Sequence, residues 1–586
     1  MIKQLCELAE RENLVDHPAL TKLAPTILIN LDDDGNCRDV VAIDKKEAKE
    51  FLCESVTRAR NVLARVLVDN SEYLLGIKAD DSKTSKDVTP EDKYKVFIEK
   101  NSPYLNDVPQ LQPLLKFYTS NMANGIEKAK IEFSKLDKKV RTGSIAFYLP
   151  CGKYAHDLPS VLERIKHDYD VRQNEKLQSG VQECSVCARR EYPIELTHER
   201  IKRIPDGQPS GNALVSYNSD AFRSYGLMQN ENSKICSDCA KHYVSAMNWL
   251  LEKGRVTSDE KGKEKFVFAH RKNLGRDTAI LFWQRDESDF DLMDFLDAPQ
   301  DDEVAKLLSS PDSGRYAALH LEENLFYAIT LSGSAARIAL RDWIEISLPQ
   351  TKMNLKQWFR DIEISDNQQK VYTALWKMSN ACKGTHTDDP IAARVQTILW
   401  RCAIKNQIVP LWVLSAVINR IRADSSKFKW KKKENSDLSL YEIISCARIA
   451  LIKLTINRLN REEKQIMSEL DFENKNVAYL CGRLLSVLAD VQHASLPDVN
   501  AGVVDRFYSS ASTTPSAAFG RLIKNAQYHL SKLRSEKPGL AVNLEKKITE
   551  IMEQISDFPQ TLRLEDQGRF AIGFYHQQQL RFKSNQ

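Results

Sequence analysis

The sequence predicts an α+β N-terminal part that carries a cysteine-bearing insertion, followed by an all-α helical bundle. Strand-like and helix-like segments alternate up to about residue 365, helical periodicity dominates beyond it, and two Cys-x-x-Cys pairs interrupt the first part. A chain of 586 residues exceeds one hydrophobic core, so several domains are expected. We place them at 1–365, 366–466 and 467–586, with the insertion at 180–255.

The first part alternates between strand and helix signals. Two apolar runs flank the turn sequence Asp32–Asn36, which predicts a β-hairpin over residues 24–43. The further elements expected here are helices at about 46–67, 91–100, 122–137 and 158–177, and strands at 144–149, 265–269, 278–283, 325–331 and 337–346.

Beyond residue 365, apolar residues recur at helical spacing and turn sequences such as Pro538-Gly539 separate the runs. We therefore predict an all-helical second part. Its expected helices lie at 369–381, 389–405, 409–421, 440–459, 475–493, 515–534 and 541–556.

The composition excludes several classes of protein. No run of 18 apolar residues is present, so a membrane-spanning helix is not expected, and the N-terminus lacks the pattern of a signal peptide. We therefore expect a cytoplasmic protein with no membrane partner. The 84 basic and 80 acidic residues give a net charge of only +4, so any nucleic-acid surface must arise from segregation of charge within the fold.

Four of the twelve cysteines have metal-ligand spacing. Cys184 and Cys187 form one Cys-x-x-Cys pair, and Cys236 and Cys239 form another. Two such pairs can supply four thiolates to a tetrahedral Zn²⁺, which makes 180–255 a zinc-binding insertion with a structural ion. The alternative is a group of four buried free thiols. We interpret His198, between the pairs, as an ordinary surface residue.

Two segments concentrate positive charge. In the first, lysines alternate with aromatic residues, which suits phosphate contact and base stacking, although a solvated loop would have the same composition. The second extends from Arg506 to Ser535 and contains no acidic residue. The candidate nucleic-acid contacts are Lys427, Lys429, Trp430, Lys431 and Lys432 in the first segment, and Arg521, Lys524, Lys532 and Arg534 in the second.

Catalytic motifs are lacking. The sequence has no phosphate-binding loop, no nucleophile elbow and no HExxH motif. His156-Asp157 is a lone dipeptide without a partner motif. We therefore expect a protein that is not an enzyme.

Several collinear stretches are similar to one known family. They are Asp69–Gly76, Ser210–Asn218, Ser224–Gly226, Leu331–Arg337, Tyr479–Leu484, Ser510–Pro515, His529–Leu533, Gln567–Phe570 and Gly573–His576. Together they resemble the large subunit of the type I-C CRISPR Cascade surveillance complex, the subtype-C member of the Cas-eight family. The run at 206–209 departs from the family pattern, and many relatives lack the second cysteine pair. The prediction of zinc therefore depends on the spacing of the cysteines alone.

The resemblance implies a non-catalytic subunit of an RNA-guided interference complex. Such a subunit recognises the protospacer-adjacent motif (PAM) in duplex DNA, aids strand opening and stabilises the R-loop, while the guide RNA reads the rest of the target. The implied partners are the backbone subunits that carry the crRNA, a small subunit, the target double-stranded DNA with its displaced strand, and the nuclease-helicase that the large subunit helps to recruit.

The family also implies a separable C-terminal module. Its helical end occurs as a free small subunit translated from an internal start, and Met467 is a suitable start here. Residues 467–586 would then form a small-subunit-like helical bundle. The alternative is that Met467 is an ordinary residue of the chain.

Two polar loops are candidates for reading the motif, because amide, hydroxyl and lysine groups can meet base edges in a groove. The first group is Asn70, Ser71 and Lys78. The second is Gln208, Ser210 and Asn212, between the cysteine pairs. Ordinary turn chemistry accounts equally for both groups.

Two other classes of function remain open on sequence grounds. A zinc-containing nuclease or DNA-processing enzyme would degrade DNA in the presence of magnesium or manganese. A pure protein-interaction scaffold would show no salt-dependent affinity for DNA.

Overall fold

A computed structural model provides the structure of the chain. It describes residues 1–44, 47–56, 58, 62–79, 88–120, 124–178, 182–190, 193–258, 262, 264–286, 292–309, 324–367, 369–384, 390–429, 438–497 and 502–583. These residues form two compact units. The first comprises Met1–Arg271 and Thr330–Trp343, and the second comprises Lys272–Ile329 and Ile344–Gln586.

The first unit is mixed α and β. Its elements, in chain order, are α1 (Ile2–Arg11), β1 (Leu20–Leu23), β2 (Ile27–Leu31), β3 (Cys37–Ala42), β4 (Phe51–Glu54), β5 (Val68–Asp69), α2 (Ser71–Leu74), α3 (Pro90–Asp107), α4 (Gln112–Thr119), α5 (Ile126–Lys135), α6 (Lys138–Arg141), β6 (Ile145–Tyr148), α7 (Pro159–Gln178), α8 (Ser237–Glu252), β7 (Gly254–Ser258) and β8 (Glu264–Phe268).

A four-stranded sheet of order β3-β2-β6-β5 forms the centre of this unit. β2 pairs antiparallel with β3 and parallel with β6. Residues of β2 alternate between buried and half-buried, as expected for a strand with one face on a core. The hairpin predicted over 24–43 and the strand predicted over 144–149 are confirmed.

Local sequence signals fix where helices of this unit begin. The Thr89 hydroxyl accepts a hydrogen bond from the Asp92 amide, and the Asp92 carboxylate accepts one from the Thr89 amide. Pro90 occupies the first helical position of α3. This capping box and proline satisfy donors that a helix start would otherwise leave unpaired, which explains why the helical pattern at 91–100 was readable from sequence.

The second unit begins with strands and continues mainly as helices. Its elements are β9 (Arg271–Leu274), β10 (Thr278–Gln284), α9 (Leu292–Asp297), α10 (Asp301–Ser309), β11 (Leu325–Ser334), β12 (Arg337–Ser347), α11 (Leu348–Ile362), β13 (Ile364–Asp366), β14 (Gln369–Val371), α12 (Leu375–Asn380), α13 (Ile391–Lys405), α14 (Leu411–Ser425), α15 (Leu440–Ile443), α16 (Cys446–Leu459), α17 (Val477–Ser495), α18 (Val503–Ala511), α19 (Pro515–Glu536), α20 (Pro538–Met552) and α21 (Leu564–Lys583).

Strands β9 to β12 form a sheet of order β12-β11-β10-β9. Residues 330–343, at the tip of the β11–β12 hairpin, belong to the first unit. One apolar core runs through the second unit. Residues 272–329 and 344–365 also belong to this unit, so the two compact units are not separated at residue 365. The domain boundaries after residues 365 and 466 stay predictions.

Three sequence expectations about elements are wrong. Phe51–Glu54, within the expected helix 46–67, is strand β4 and pairs with β1. Gln369–Val371 forms a hairpin with β13, so the expected helix 369–381 begins only at Leu375. The run 440–459 breaks at Ser445, whose side chain caps α16. Short apolar runs carry too little periodicity to separate strand from helix.

Helix α16 is unusual because its buried residues include Lys453, Asn457 and Arg458. Arg458 is 2% exposed and donates from Nε to the buried Asp361 carboxylate at 2.7 Å. Its Nη1 donates to the carbonyls of Cys402 at 2.6 Å and Gln407 at 2.8 Å. One guanidinium therefore joins three segments inside the apolar core.

No helix in the described ranges is long and apolar enough to cross a membrane.

Candidate metal centre and nucleic-acid interface

The structure brings together the four cysteines that the sequence singles out. Each can offer its Sγ atom to an ion, and all four Sγ atoms lie within 4.8 Å of one another. Cys187 Sγ and Cys236 Sγ are 3.8 Å apart. Four sulfurs at 2.3 Å from a central Zn²⁺ would be separated by about 3.8 Å, whereas a disulfide requires about 2.05 Å. The cluster therefore fits a tetrahedral metal ion.

Backbone amides support this geometry. The amides of Val186 and Cys236 donate to Cys184 Sγ at 3.4 and 3.3 Å. Burial raises the pKa of the Cys184 thiol, but backbone hydrogen bonds from Cys187, Cys236 and Val186 outweigh it and lower the pKa to about 7. The hydrogen bond with Cys239, together with burial, raises the pKa of Cys236. Thiolates replace thiols when a cation binds to such a set.

The segment around the cluster is tied to the rest of the first unit. Helix α8 begins at the second cysteine pair, and the Cys6 thiol of α1 donates to the Cys239 carbonyl at 3.5 Å. Lys241 of α8 donates to Ser55 Oγ at 2.8 Å and pairs with Glu199 at 2.7 Å. These contacts tie the insertion to α1 and to the chain that follows β4.

His198 is not the surface residue expected from the sequence. It is 5% exposed, and its Nδ1 lies 2.8 Å from the Tyr243 hydroxyl. Burial lowers the pKa of His198 to about 4, so the imidazole is neutral near pH 7. His198 supports the insertion through this contact and is not among the four clustered ligands.

A polar loop, residues 205–211, lies within the insertion. Gln208 and Ser210 are exposed, so their side chains are accessible to a ligand. Asn212 is fully buried, and its Oδ1 accepts from the Gln208 amide at 3.0 Å. Asn212 Nδ2 donates to the carbonyls of Ala335 at 2.7 Å and Arg337 at 3.1 Å. In this arrangement Asn212 cannot touch DNA, and it shapes the loop instead.

The tip of the β11–β12 hairpin holds the 205–211 loop from the other side. The Gly333 amide donates to the Pro205 carbonyl at 2.9 Å. A Cβ on Gly333 would lie 2.5 Å from the Asp206 carbonyl carbon, so only glycine permits this approach. Two family-like stretches that lie far apart in sequence, around 210–218 and 331–337, therefore form one structural feature.

Backbone strain is concentrated in the insertion. Among the described residues other than glycine, eleven have a positive φ, and six of these lie between residues 188 and 234. They are Ala188, Arg203, Asp206, Tyr225, Gln229 and Lys234. Such conformations persist where the surroundings fix them, and they often occur at binding sites.

The first candidate group, around Asn70, has mainly structural contacts. Asn70 caps α2 by accepting from the Glu72 amide at 3.1 Å. Ser71 is fully buried and is inaccessible to DNA in this arrangement. Lys78 is half-buried. Only Asn70 and Lys78 retain accessible surface, and neither belongs to the 205–211 loop.

The two basic segments meet in the second unit. Arg422, at the end of α14, donates to Ser509 Oγ of α18 at 3.4 Å, and Lys429 lies 3.8 Å from Asp505. The Arg521 guanidinium of α19 lies 5.7 Å from the centre of the Phe507 ring of α18. Helix α18, which the sequence did not reveal, therefore bridges segments some 90 residues apart.

Helix α19 presents a basic stripe on this surface. Arg521, Lys524, Tyr528 and Lys532 follow helical spacing, and Arg521 and Lys524 are exposed. Tyr528 is 68% exposed. Lys532 donates to the Ser495 carbonyl at 3.1 Å, and Arg534 pairs with Glu545. We call Arg422, Arg506, Arg521, Lys524, Tyr528 and Lys532 the helical basic surface.

The remaining candidates lie at the edge of the described chain. Lys427 and Lys429 are half-buried, and Phe428 between them is 2% exposed in the core and cannot stack on a base. Trp430, Lys431 and Lys432 lie outside the described residues.

Two exposed residues were not predicted as site residues, Tyr225 in the insertion and Arg337 at the start of β12. Tyr225 is fully exposed, and Arg337 lies over the Phe222 ring at 5.5 Å and donates to Asn218 Oδ1 at 2.7 Å. The sequence signals for Tyr225 were its place in the family-like stretch Ser224–Gly226 and the turn-like composition of that stretch. Nothing in the sequence placed Arg337 beside residues 218–222.

Comparison with known proteins returns one family match. The family model described as CRISPR-associated protein (Cas_Csd1) matches residues 4–582. This interval is nearly the whole chain, and it includes the cysteine cluster, the 205–211 loop and the helical basic surface. A comparison with curated proteins gives no match.

Proposed function

Because the chain belongs to the Cas_Csd1 family of CRISPR-associated proteins, we propose that it is the large, motif-reading subunit of a type I-C RNA-guided interference complex. In this role it recognises the PAM in duplex DNA, aids strand opening and stabilises the R-loop. The observation that carries the proposal is the 205–211 loop, which presents Gln208 and Ser210 to solvent on a backbone that the buried Asn212 holds.

Motif reading requires polar side chains at fixed positions. Amide and hydroxyl groups can pair with donors and acceptors on base edges, and discrimination depends on holding them rigidly. Asn212 bonds to the loop and to the hairpin tip, which limits the motion of both. Gln208 and Ser210 are the motif-reading residues under this proposal, and Asn212 is a positioning residue.

The metal is proposed to be structural zinc. Four sulfur donors suit a closed, soft-ligand site, and no fifth position for substrate is needed. Bound zinc would fix Cys184 and Cys187 against the start of α8 and so hold both ends of the segment that carries the 205–211 loop. Chemistry at the metal forms no part of the proposal, and the chain is proposed not to be an enzyme.

The helical basic surface is proposed to hold the displaced strand. Cations neutralise phosphates along a strand, and an exposed aromatic ring such as Tyr528 accepts any base by stacking. This assignment agrees with the place of the surface within residues 467–586, the proposed small-subunit-like module, apart from Arg422. Met467 is exposed and lies in the connection between α16 and α17, where an internal start would separate whole helices.

The other partners follow from the same proposal. They are the crRNA-bearing backbone subunits, a free small subunit, the target duplex and a nuclease-helicase. The purified chain with magnesium or manganese should leave DNA intact, and degradation would favour the nuclease alternative.

Changing Arg521 and Lys524 to alanine should weaken binding of single-stranded DNA without changing motif preference. Two lost phosphate contacts should reduce the slope of log K against log salt concentration by about 1.4, since each contributes about 0.7 on single strands. Titration of the assembled complex at several salt concentrations measures this slope. Lys546→Ala, at an exposed lysine of α20, is the control and should leave the slope unchanged. An unchanged slope in the double variant would remove these residues from the strand path.

The test of motif reading is a selection from duplexes that share a guide-matched sequence and vary beside it. The complex is assembled with this chain or without it. Enrichment of one flanking sequence should require the chain.

A further inference from the structure

Tyr225 stands out among the surface residues of the insertion. It is 100% exposed, and its φ of 66° lies in the left-handed region. The next residue, Gly226, has a φ of 73°. In such a conformation glycine carries no Cβ penalty, whereas any other residue does. The turn therefore displays a large aromatic ring where the backbone favours glycine.

The fold gains no packing from this ring, because all of its surface faces solvent. The turn that displays it is nevertheless anchored. Tyr217 packs edge-on against Phe222, with ring centres 5.4 Å apart. Arg337 lies over the Phe222 ring and bonds to Asn218, which ties the turn to the β11–β12 hairpin. An anchored, strained and fully exposed side chain suggests a binding role.

The surroundings of the ring indicate what it binds. Arg223, two residues before Tyr225, has a side chain that is 62% exposed and pairs with the exposed Asp220 at 3.2 Å. Arg337 reaches the same turn through Phe222 and Asn218. Single-strand binding surfaces combine isolated aromatic rings with such cations, whereas a protein interface would need a larger continuous apolar patch. Met228, three residues after Tyr225, is an apolar side chain that is 53% exposed.

We propose that Tyr225 stacks on a nucleobase that becomes unpaired next to the motif, so that it stabilises the first step of strand opening. This rests on the proposed function. The same insertion carries the 205–211 loop, and Arg337 bonds both to Asn218 near the turn and, through its carbonyl, to Asn212 beneath the loop. Motif reading and base capture would then occur on one rigid support.

The test uses the assembled complex with Tyr225→Ala, Tyr225→Phe, Tyr225→Gly and, as a matched control, Met228→Ala. A fluorescent adenine analogue, 2-aminopurine, placed beside the motif reports unstacking as the duplex opens. Tyr225→Ala and Tyr225→Gly should slow opening about 10- to 100-fold, because stacking on one ring is a substantial interaction. Tyr225→Phe and Met228→Ala should open at the wild-type rate. Tyr225→Gly should remain at least as stable as the wild type, since glycine suits this φ.

On a target already opened by mismatches beside the motif no opening step remains, so Tyr225→Ala should associate at the wild-type rate but dissociate faster, because the stacking contact is still missing. Wild-type opening rates in Tyr225→Ala on the intact duplex would overturn the proposal. So would an equally slow association with the pre-opened target, or a similar defect in Met228→Ala, which would point to an apolar protein partner. If the wild-type complex itself shows no motif preference, the proposed function fails, and that result is distinct from failure of Tyr225.

Discussion

Cys236→Ser is expected to release the metal and to abolish motif-dependent DNA binding. Bound zinc contributes about 10–16 kcal/mol of apparent binding energy in small zinc-dependent domains, and a serine hydroxyl is a poor replacement for a thiolate. Substitution of a residue that only hydrogen-bonds to a metal ligand lowers metal affinity about 10- to 100-fold. Loss of a ligand itself should therefore lower metal affinity further. Metal analysis should fall from about one ion per chain to near zero.

Cys151→Ser is the matched control, because Cys151 is an exposed thiol outside the cluster. It should retain the metal and full binding. Hydrogen exchange should locate the damage in Cys236→Ser at residues 184–189 and 234–239, whose amides bond to the cluster or lie beside it. Freshly prepared protein with less than half an ion per chain and normal motif preference would contradict the metal centre and favour four free thiols.

Arg458→Met is expected to destabilise the second unit by about 3–5 kcal/mol. The substitution leaves the Asp361 carboxylate buried without its partner, which is the costly way to break a buried ion pair. It also leaves the carbonyls of Cys402 and Gln407 without the donors they now have from Arg458. Native-state hydrogen exchange of α11 and α16 measures the opening free energy, which should fall by that amount.

Two variants serve as controls for Arg458. Arg521→Met, at an exposed arginine of the same unit, should change the opening free energy by less than about 0.5 kcal/mol. Asp361→Leu combined with Arg458→Met should be less destabilised than the sum of the two single variants, because neither member of the pair is left as a buried charge without its partner. Equal values for Arg458→Met and Arg521→Met would show that the buried network contributes nothing.

The sequence predicted the cysteine cluster more accurately than it predicted which loop side chains face solvent. The spacing of Cys184, Cys187, Cys236 and Cys239 suffices to predict that they meet, because each pair forms a local turn and thiolates share few structural roles. It could not show that Asn212 turns inward, since an asparagine in a polar loop has the same sequence signature whether it faces solvent or a carbonyl. The burial of Asn212 depends on the β11–β12 hairpin, which is more than 120 residues away in sequence.

The helical basic surface was predicted only in pieces. The segment without acidic residues indicated Arg521 and Lys524 as candidates. Their connection to Arg422 depends on α18, a nine-residue helix that is too short to give a strong periodic signal. Long helices such as α3 and α19 were found because many residues contribute to one pattern. Short elements such as β4 and β14 were misread because tertiary pairing, rather than local preference, determines them.

The most direct test of the central claim is selection from a duplex library in which only the positions beside the guide-matched sequence vary. The complex is assembled with the wild-type chain, without it, or with Gln208→Ala and Ser210→Ala together. The wild type should enrich one flanking sequence, since each well-placed base contact discriminates by about 1–3 kcal/mol. Omission of the chain and the double variant should both lose that enrichment, whereas Arg521→Ala with Lys524→Ala should keep it. The same enrichment without the chain, or undiminished enrichment in the Gln208 and Ser210 double variant, would contradict motif reading by the 205–211 loop.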